Sequence, residues 1–320
     1  MLINELRTTV KNYDNNKLTN IVCELYKRIP KKIKEEYNID DYIKDINVKR
    51  KKSDEILSFD QVKTCVISFL QLVDEGLYSR PNKIVSRKDR SNWRFKGKKI
   101  FKYLCSYKPG TKERNTATDL LIEFYKRLSI GTYSLLFTNW DTFKALGVTQ
   151  DDYYQLIVNR VLFNGLSEEN LHRCISLLDL PVSGDLLSEE LYSRFIYSLD
   201  GDESKEISIK LLNDIILNTK EEMLSAKRES SYYDFENKIN ECVVAIFQIY
   251  ITMNKCDEGI KFFHKNYIEK NKEIKEYVLL RELHWLELDE EWIKEYESNV
   301  KKINFRDSIN EEYLRLKNKN

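Results

Sequence analysis

Glycine and proline are scarce in this chain: 9 and 4 residues among 320. So few chain-breaking residues leave little room for frequent tight turns and predict long regular elements. No stretch reaches the roughly 20 consecutive apolar residues that cross a bilayer, and the opening MLINELRTTVKNYD lacks the apolar core of a signal peptide. The expectation is a soluble cytoplasmic protein with no membrane partner. Six cysteines (Cys23, Cys65, Cys105, Cys174, Cys242 and Cys256) are scattered with no CxxC among them. They are expected to be reduced, buried thiols among apolar neighbours.

The signatures of most enzyme classes are missing as well. There is no GxGxxG, no GKS or GKT, no serine elbow and no HExxH. The three histidines, His172, His264 and His284, stand apart from one another in the sequence. The run Asp200-Gly201-Asp202-Glu203-Ser204-Lys205-Glu206 starts like a calcium loop. It fails where Lys205 replaces the turn-forming glycine and Leu211 the closing glutamate. No catalytic residue, metal site or cofactor is expected, and the chain is read as non-enzymatic.

What is present is a strongly helical pattern. Hydrophobic residues make up 42% of the chain, enough for a packed core, and charged residues 33%, which suits solvated helix faces. Apolar residues recur at helical spacing: Ile3, Leu6 and Val10; Leu18, Ile21, Val22 and Leu25; Val62, Val66, Phe69 and Val73. Between them a weaker helical segment spans 32–46, and the tetrad Lys49-Arg50-Lys51-Lys52 reads as an exposed loop. Thr116 is read as the cap of a helix closed by Gly131, and Tyr133 to Phe143 as a helix ending at Gly147. Thr149, with Asp152 three residues on, caps a helix closed by Gly165, and Ser167 opens the next. Further helices span 188–199 and 205–217. The polar stretch 218–234 reads as a linker or helix-to-helix joint, and Asp289-Glu290-Glu291 as a helix start. No period-two pattern persists. The prediction is an all-α fold, a multi-helix bundle or irregular α-solenoid of antiparallel helix pairs. Its regions are a basic N-terminal one (1–110), a central one (111–217) and a C-terminal one (235–320).

Net charge is +1, yet it is unevenly spread. Residues 1–110 hold 25 Lys and Arg against 14 Asp and Glu, and the remainder hold 28 against 38. The imbalance peaks between Ser79 and Lys102, where Arg80, Lys83, Arg87, Lys88, Arg90, Arg94, Lys96, Lys98, Lys99 and Lys102 surround a single acid, Asp89. Treating 91–105 as a helix puts Trp93, Gly97, Ile100, Phe101 and Leu104 on one stripe, read as core. Phe95, Lys98, Lys99 and Lys102 then fall on the opposite side. Ammonium groups around an exposed ring suit a polyanion, since cations neutralise phosphates and the ring offers a stacking surface. The competing arrangement packs both aromatics inward and pairs the arginines with acids of the acidic remainder. Phe95 distinguishes the two.

In the C-terminal third, Ile246, Tyr250, Gly259 and Phe263 have the spacing of the apolar, aromatic, small and aromatic positions of a helical hairpin. Over about 34 residues this resembles a tetratricopeptide repeat, with Asn266 and Asn271 departing from its small residue and proline. The resemblance implies stacked antiparallel helices and a partner-binding groove, and no catalysis. The run from Pro81 to Phe95 is similar to proteins of uncharacterised bacterial families, which brings no function with it. The leading expectation is therefore a protein-binding adaptor or scaffold built of helical repeats. The alternative is a nucleic-acid-binding regulator using Arg87, Lys88, Arg90, Arg94, Phe95, Lys98, Lys99 and Lys102.

Overall fold

The structure, a computed structural model, describes residues 3–36, 39–44, 58–82, 84–184, 186–226 and 230–319. The tetrad at 49–52 and Lys83 lie outside them. The described residues form α-helices and no strand, so the chain is all-α. It divides into two compact units, Met1–Ser58 and Phe59–Asn320.

The first unit holds α1 (Ile3–Val10), α2 (Asn15–Arg28), α3 (Lys31–Glu36) and α4 (Ile39–Lys44). Asp14 caps α2 by accepting a hydrogen bond from the Lys17 amide at 2.8 Å. The apolar stripe expected on α2 forms, yet Ile21, Val22 and Leu25 on it are exposed.

In the second unit, α5 (Phe59–Asp74) buries Val62, Val66, Phe69 and Val73 as expected. The short α6 (Arg87–Ser91) and α7 (Trp93–Cys105) follow. Next comes α8, which starts five residues before the expected Thr116: Thr111 is the cap, accepting from the Arg114 amide, and the helix runs Lys112–Tyr133. Gly131 does not end it. A Cβ there would lie 2.5 Å from the Phe137 ring, so the glycine serves close packing inside the helix. The expected helix from Tyr133 shrinks to α9 (Thr142–Leu146), capped by Asp141 and closed by Gly147 at φ +82°. Tyr133 and Trp140 are exposed, and Ser134 to Asp141 run outside any helix.

Thr149 and Ser167 cap α10 (Gln150–Leu162) and α11 (Glu168–Ile175) as predicted. They lead to α12 (Ser188–Ile196) and α13 (Gly201–Ser225), which outruns its expected end by eight residues. The polar stretch after Leu217 is thus mostly the continuation of α13 and the start of α14 (Ser230–Thr252), and these two helices pack side by side. A hairpin joins α14 to α15 (Cys256–Asn266). There a Cβ on Gly259 would lie 3.1 Å from the Tyr250 Cβ, so the glycine lets the helices approach closely without crowding Tyr250. The chain finishes with α16 (Lys272–Trp285), α17 (Asp289–Asn299) and α18 (Asp307–Lys319). Neighbour packs on neighbour through the pairs α8–α10, α10–α12, α12–α14 and α16–α17, a stacked arrangement of helix pairs.

The cysteines are all free, and only Cys174 and Cys242 are buried; Cys23 and Cys65 are exposed, and Cys23 lies on α2, which buries no residue. No helix of the described residues is long and apolar enough to cross a membrane.

Candidate nucleic-acid interface

The basic stretch is positioned by the inner stripe of α7. Trp93 is fully buried, donates from Nε1 to the Thr138 hydroxyl at 3.1 Å, and packs on Phe137 with ring centroids 4.3 Å apart. Gly97 lets α7 sink against α8 and α9, since a Cβ there would lie 2.8 Å from Leu146 Cδ2 and 3.3 Å from Phe124 Cζ. Ile100 and Leu104 complete the buried face, with Phe101 half-buried edge-on to Tyr153.

At the far end, Arg160 of α10 reaches in from behind. Its guanidinium donates to the Leu104 carbonyl at 3.2 Å, the Cys105 carbonyl at 3.5 Å and the Thr118 hydroxyl at 3.0 Å. A buried cation thereby meets the carbonyl-rich end of α7, where the helix dipole favours positive charge.

The entrance to the face is fixed by local hydrogen bonds. Asn82 accepts from the Ile84 and Val85 amides, and Ser86 caps α6 by accepting from the Asp89 amide at 3.2 Å. Arg90, half-buried, donates to the Ser79 carbonyl at 3.2 Å, while its Nε has no hydrogen-bond partner among the described residues.

The outer side of α7 is as the periodicity predicts. Arg94, Phe95, Lys98, Lys99 and Lys102 are all exposed, Phe95 by 60%. On a helical wheel they span an arc of about 140°, and Arg94, Lys98 and Lys102 rise along it in steps of about 6 Å. The Arg94 guanidinium lies 4.9 Å from the centre of the Phe95 ring, a cation–π distance. Arg87 and Lys88 extend the exposed charge onto α6.

The cations of this face lie together, whereas others in the unit that likewise make no ion pair among the described residues, such as Lys144, Lys220 and Lys302, are scattered along the chain. Among the described residues, Arg80, Arg87, Lys88, Arg90, Arg94, Lys96, Lys98, Lys99 and Lys102 make no ion pair with an acid. Cations further along the chain do pair: Arg194 with Asp151 at 2.6 Å, Arg281 with Glu189 at 2.9 Å, Arg306 with Glu273 at 2.6 Å and Lys319 with Asp289 at 3.0 Å. The arrangement can hold phosphates by charge and a planar base by stacking.

A second cluster, which sequence spacing did not reveal, joins three C-terminal helices. His264 of α15 lies with Nε2 2.9 Å from Glu295 Oε1 of α17, and the Asn299 amide donates to Glu295 at 2.7 Å and to Glu276 of α16 at 3.3 Å. One ligand atom from each of His264, Glu276 and Glu295 lies within 4.8 Å of the other two, so these side chains could hold a metal ion. Burial, then the adjoining Glu295 carboxylate, pushes the Glu276 carboxyl up to about 7. The hydrogen bond that the His264 imidazole donates to the Glu295 carboxylate pulls it above its ordinary value. The trace in the sequence was Glu276 itself, a carboxylate placed three, four and seven residues before the core positions Leu279, Leu280 and Leu283.

Between α12, α14 and α16 lies a groove of about 190 Å³ lined by Glu189, Tyr192, Asn240, Glu241, Gln248 and Arg281. Comparison with family models, with curated proteins and with solved structures found no match to this chain.

Proposed function

We propose that this chain binds single-stranded nucleic acid on the outer face of α7 and the adjoining α6. The observation that carries the reading is an exposed Phe95 ring set among cations that pair with no acid among the described residues. An apolar ring on a helix surface is unremarkable when it packs, and unpaired lysines are unremarkable when scattered. Here both occur on one arc, with Arg94, Lys98 and Lys102 in line to follow a phosphate backbone. A stackable ring favours splayed bases over duplex, since a duplex hides its base faces.

The test is fluorescence anisotropy of a labelled oligonucleotide across a salt series. Four to six neutralised phosphates should give a slope of log affinity on log salt of about −3 to −4 for a single strand. Lys98→Glu with Lys102→Glu should abolish binding while leaving the far-UV circular dichroism unchanged. Absence of binding by the wild type at low salt, or binding that the double substitution leaves intact, would overturn the proposal.

A protein-binding adaptor is the second reading. The groove between α12, α14 and α16, with Glu241 and Arg281 on its walls, and the resemblance of the α14–α15 hairpin to a tetratricopeptide repeat support it. Affinity capture with Glu241→Lys as the control should then lose a partner that the wild type retains. Capture of the same proteins by both would count against the groove.

A further inference from the structure

We infer that His264, Glu276 and Glu295 form a binding site for one divalent first-row transition ion, with Asn299 orienting the two carboxylates. The three side chains come from α15, α16 and α17, and helix packing rather than a local loop brings them together. Ions of this class sit about 2.0–2.2 Å from imidazole nitrogen and carboxylate oxygen, so ligand atoms around one ion are at most about 4.4 Å apart. The separations here, up to 4.8 Å, close to that range with a small rotation of a side chain.

Three features distinguish the cluster from a chance meeting of polar groups. Glu276 is only 3% exposed, and among the described residues it makes no ion pair with Lys or Arg. A second carboxylate, Glu295, faces it, so two acids share one interior site with a single imidazole. Burying carboxylates together without a cation is costly. A divalent ion neutralises both, and the Asn299 amide contacts both carboxylates as an outer partner of metal ligands does. The third feature is access: the His264 side chain is 36% exposed, which opens the cluster to solvent on that side.

Two positive groups face the cluster, the His264 imidazole itself, 2.9 Å from Glu295, and the Lys275 ammonium. The ammonium is held by the His264 and Tyr267 carbonyls at 2.7 and 2.9 Å, which close the last turn of α15. One nitrogen and two oxygens suit manganese, iron or zinc. Calcium takes six to eight oxygens, and magnesium prefers to keep most of its waters. Three protein ligands leave coordination positions for water.

The experiment uses the metal-free full chain, titrated separately with Mn2+ by electron paramagnetic resonance and with Zn2+ by calorimetry. The expected result is one ion per chain, competed between the two metals, with Glu276→Gln and His264→Gln each weakening it by roughly tenfold or more, the scale of losing a partner in a metal site. Both substitutions keep the side-chain volume nearly unchanged, and unaltered far-UV circular dichroism confirms folding. Thermal unfolding supplies a second readout: metal should raise the midpoint of the wild type and fail to raise that of Glu276→Gln. No binding of either ion at millimolar concentration overturns the site. So does binding that neither substitution weakens, as capture of Zn2+ by the free thiols would give.

Discussion

Trp93 and Phe95 are two residues apart on α7 and have opposite fates, because 200° of helical rotation separates them. Trp93 is enclosed by Phe137 and hydrogen-bonded to Thr138; Phe95 stands in solvent beside Arg94. Truncating each should therefore separate stability from binding. Trp93→Ala should destabilise the second unit by about 3–5 kcal/mol, the range for deleting a large buried aromatic. Phe95→Ala should stay within about 0.5 kcal/mol of wild type in denaturant unfolding, yet lose about 1–3 kcal/mol of oligonucleotide affinity, one stacked base. A Phe95→Ala protein that unfolds early and binds normally would mean the ring is structural. These two placements, one buried and one exposed, were legible in the sequence because helical periodicity alone assigns them. The His264–Glu276–Glu295 cluster was not. Its members are 12 and 19 residues apart along the chain, and only the packing of three helices makes them neighbours.

At the level of elements, the caps at Thr149 and Ser167 and the stop at Gly147 were read correctly, the cap at Thr116 and the stop at Gly131 were not. Thr149 and Ser167 cap α10 and α11 because a hydroxyl facing the first-turn amides is a local arrangement that sequence spells out. Gly131 was read as a stop, and it lies inside α8. A glycine that ends a helix and a glycine that admits a neighbour look alike in sequence; only the tertiary contact with Phe137 tells them apart. That contact also supports α7, since Phe137 packs on Trp93. Gly131→Ala gains up to about 1 kcal/mol of helix propensity. Against that, a methyl 2.5 Å from a buried ring imposes an overpacking cost of about 1–3 kcal/mol. The expected outcome is a lower thermal midpoint, checked by calorimetry; a raised midpoint would show that Phe137 moves aside freely.

Across the whole molecule, the sequence's charge asymmetry has a structural counterpart. Some of the acids after residue 110 are taken up by pairs such as Arg194–Asp151 and Arg306–Glu273, while Arg87, Lys88, Arg94, Lys98, Lys99 and Lys102 of α6 and α7 are exposed. Counting charges located the imbalance but could not say whether it was satisfied internally, because pairing depends on which helices become neighbours. The all-α class was readable from the scarcity of glycine and proline and from the apolar spacing. The boundary between the two compact units at Ser58 was not, because it depends on which helices pack together.

Arg160 turns that outward charge into a feature coupled to the interior. Its guanidinium clasps the last carbonyls of α7 from within α10, so on the proposed function a load placed on α7 by a bound strand would reach α10 through this contact as well as through Phe101 on Tyr153. Amide hydrogen exchange should register it. Oligonucleotide binding is expected to slow exchange at the carboxyl end of α10 as well as along α7, and Arg160→Met should lessen the slowing in α10 while leaving it along α6 and α7. Exchange in α10 that is indifferent to the ligand in the wild type would mean the clasp holds α7 without conveying its load.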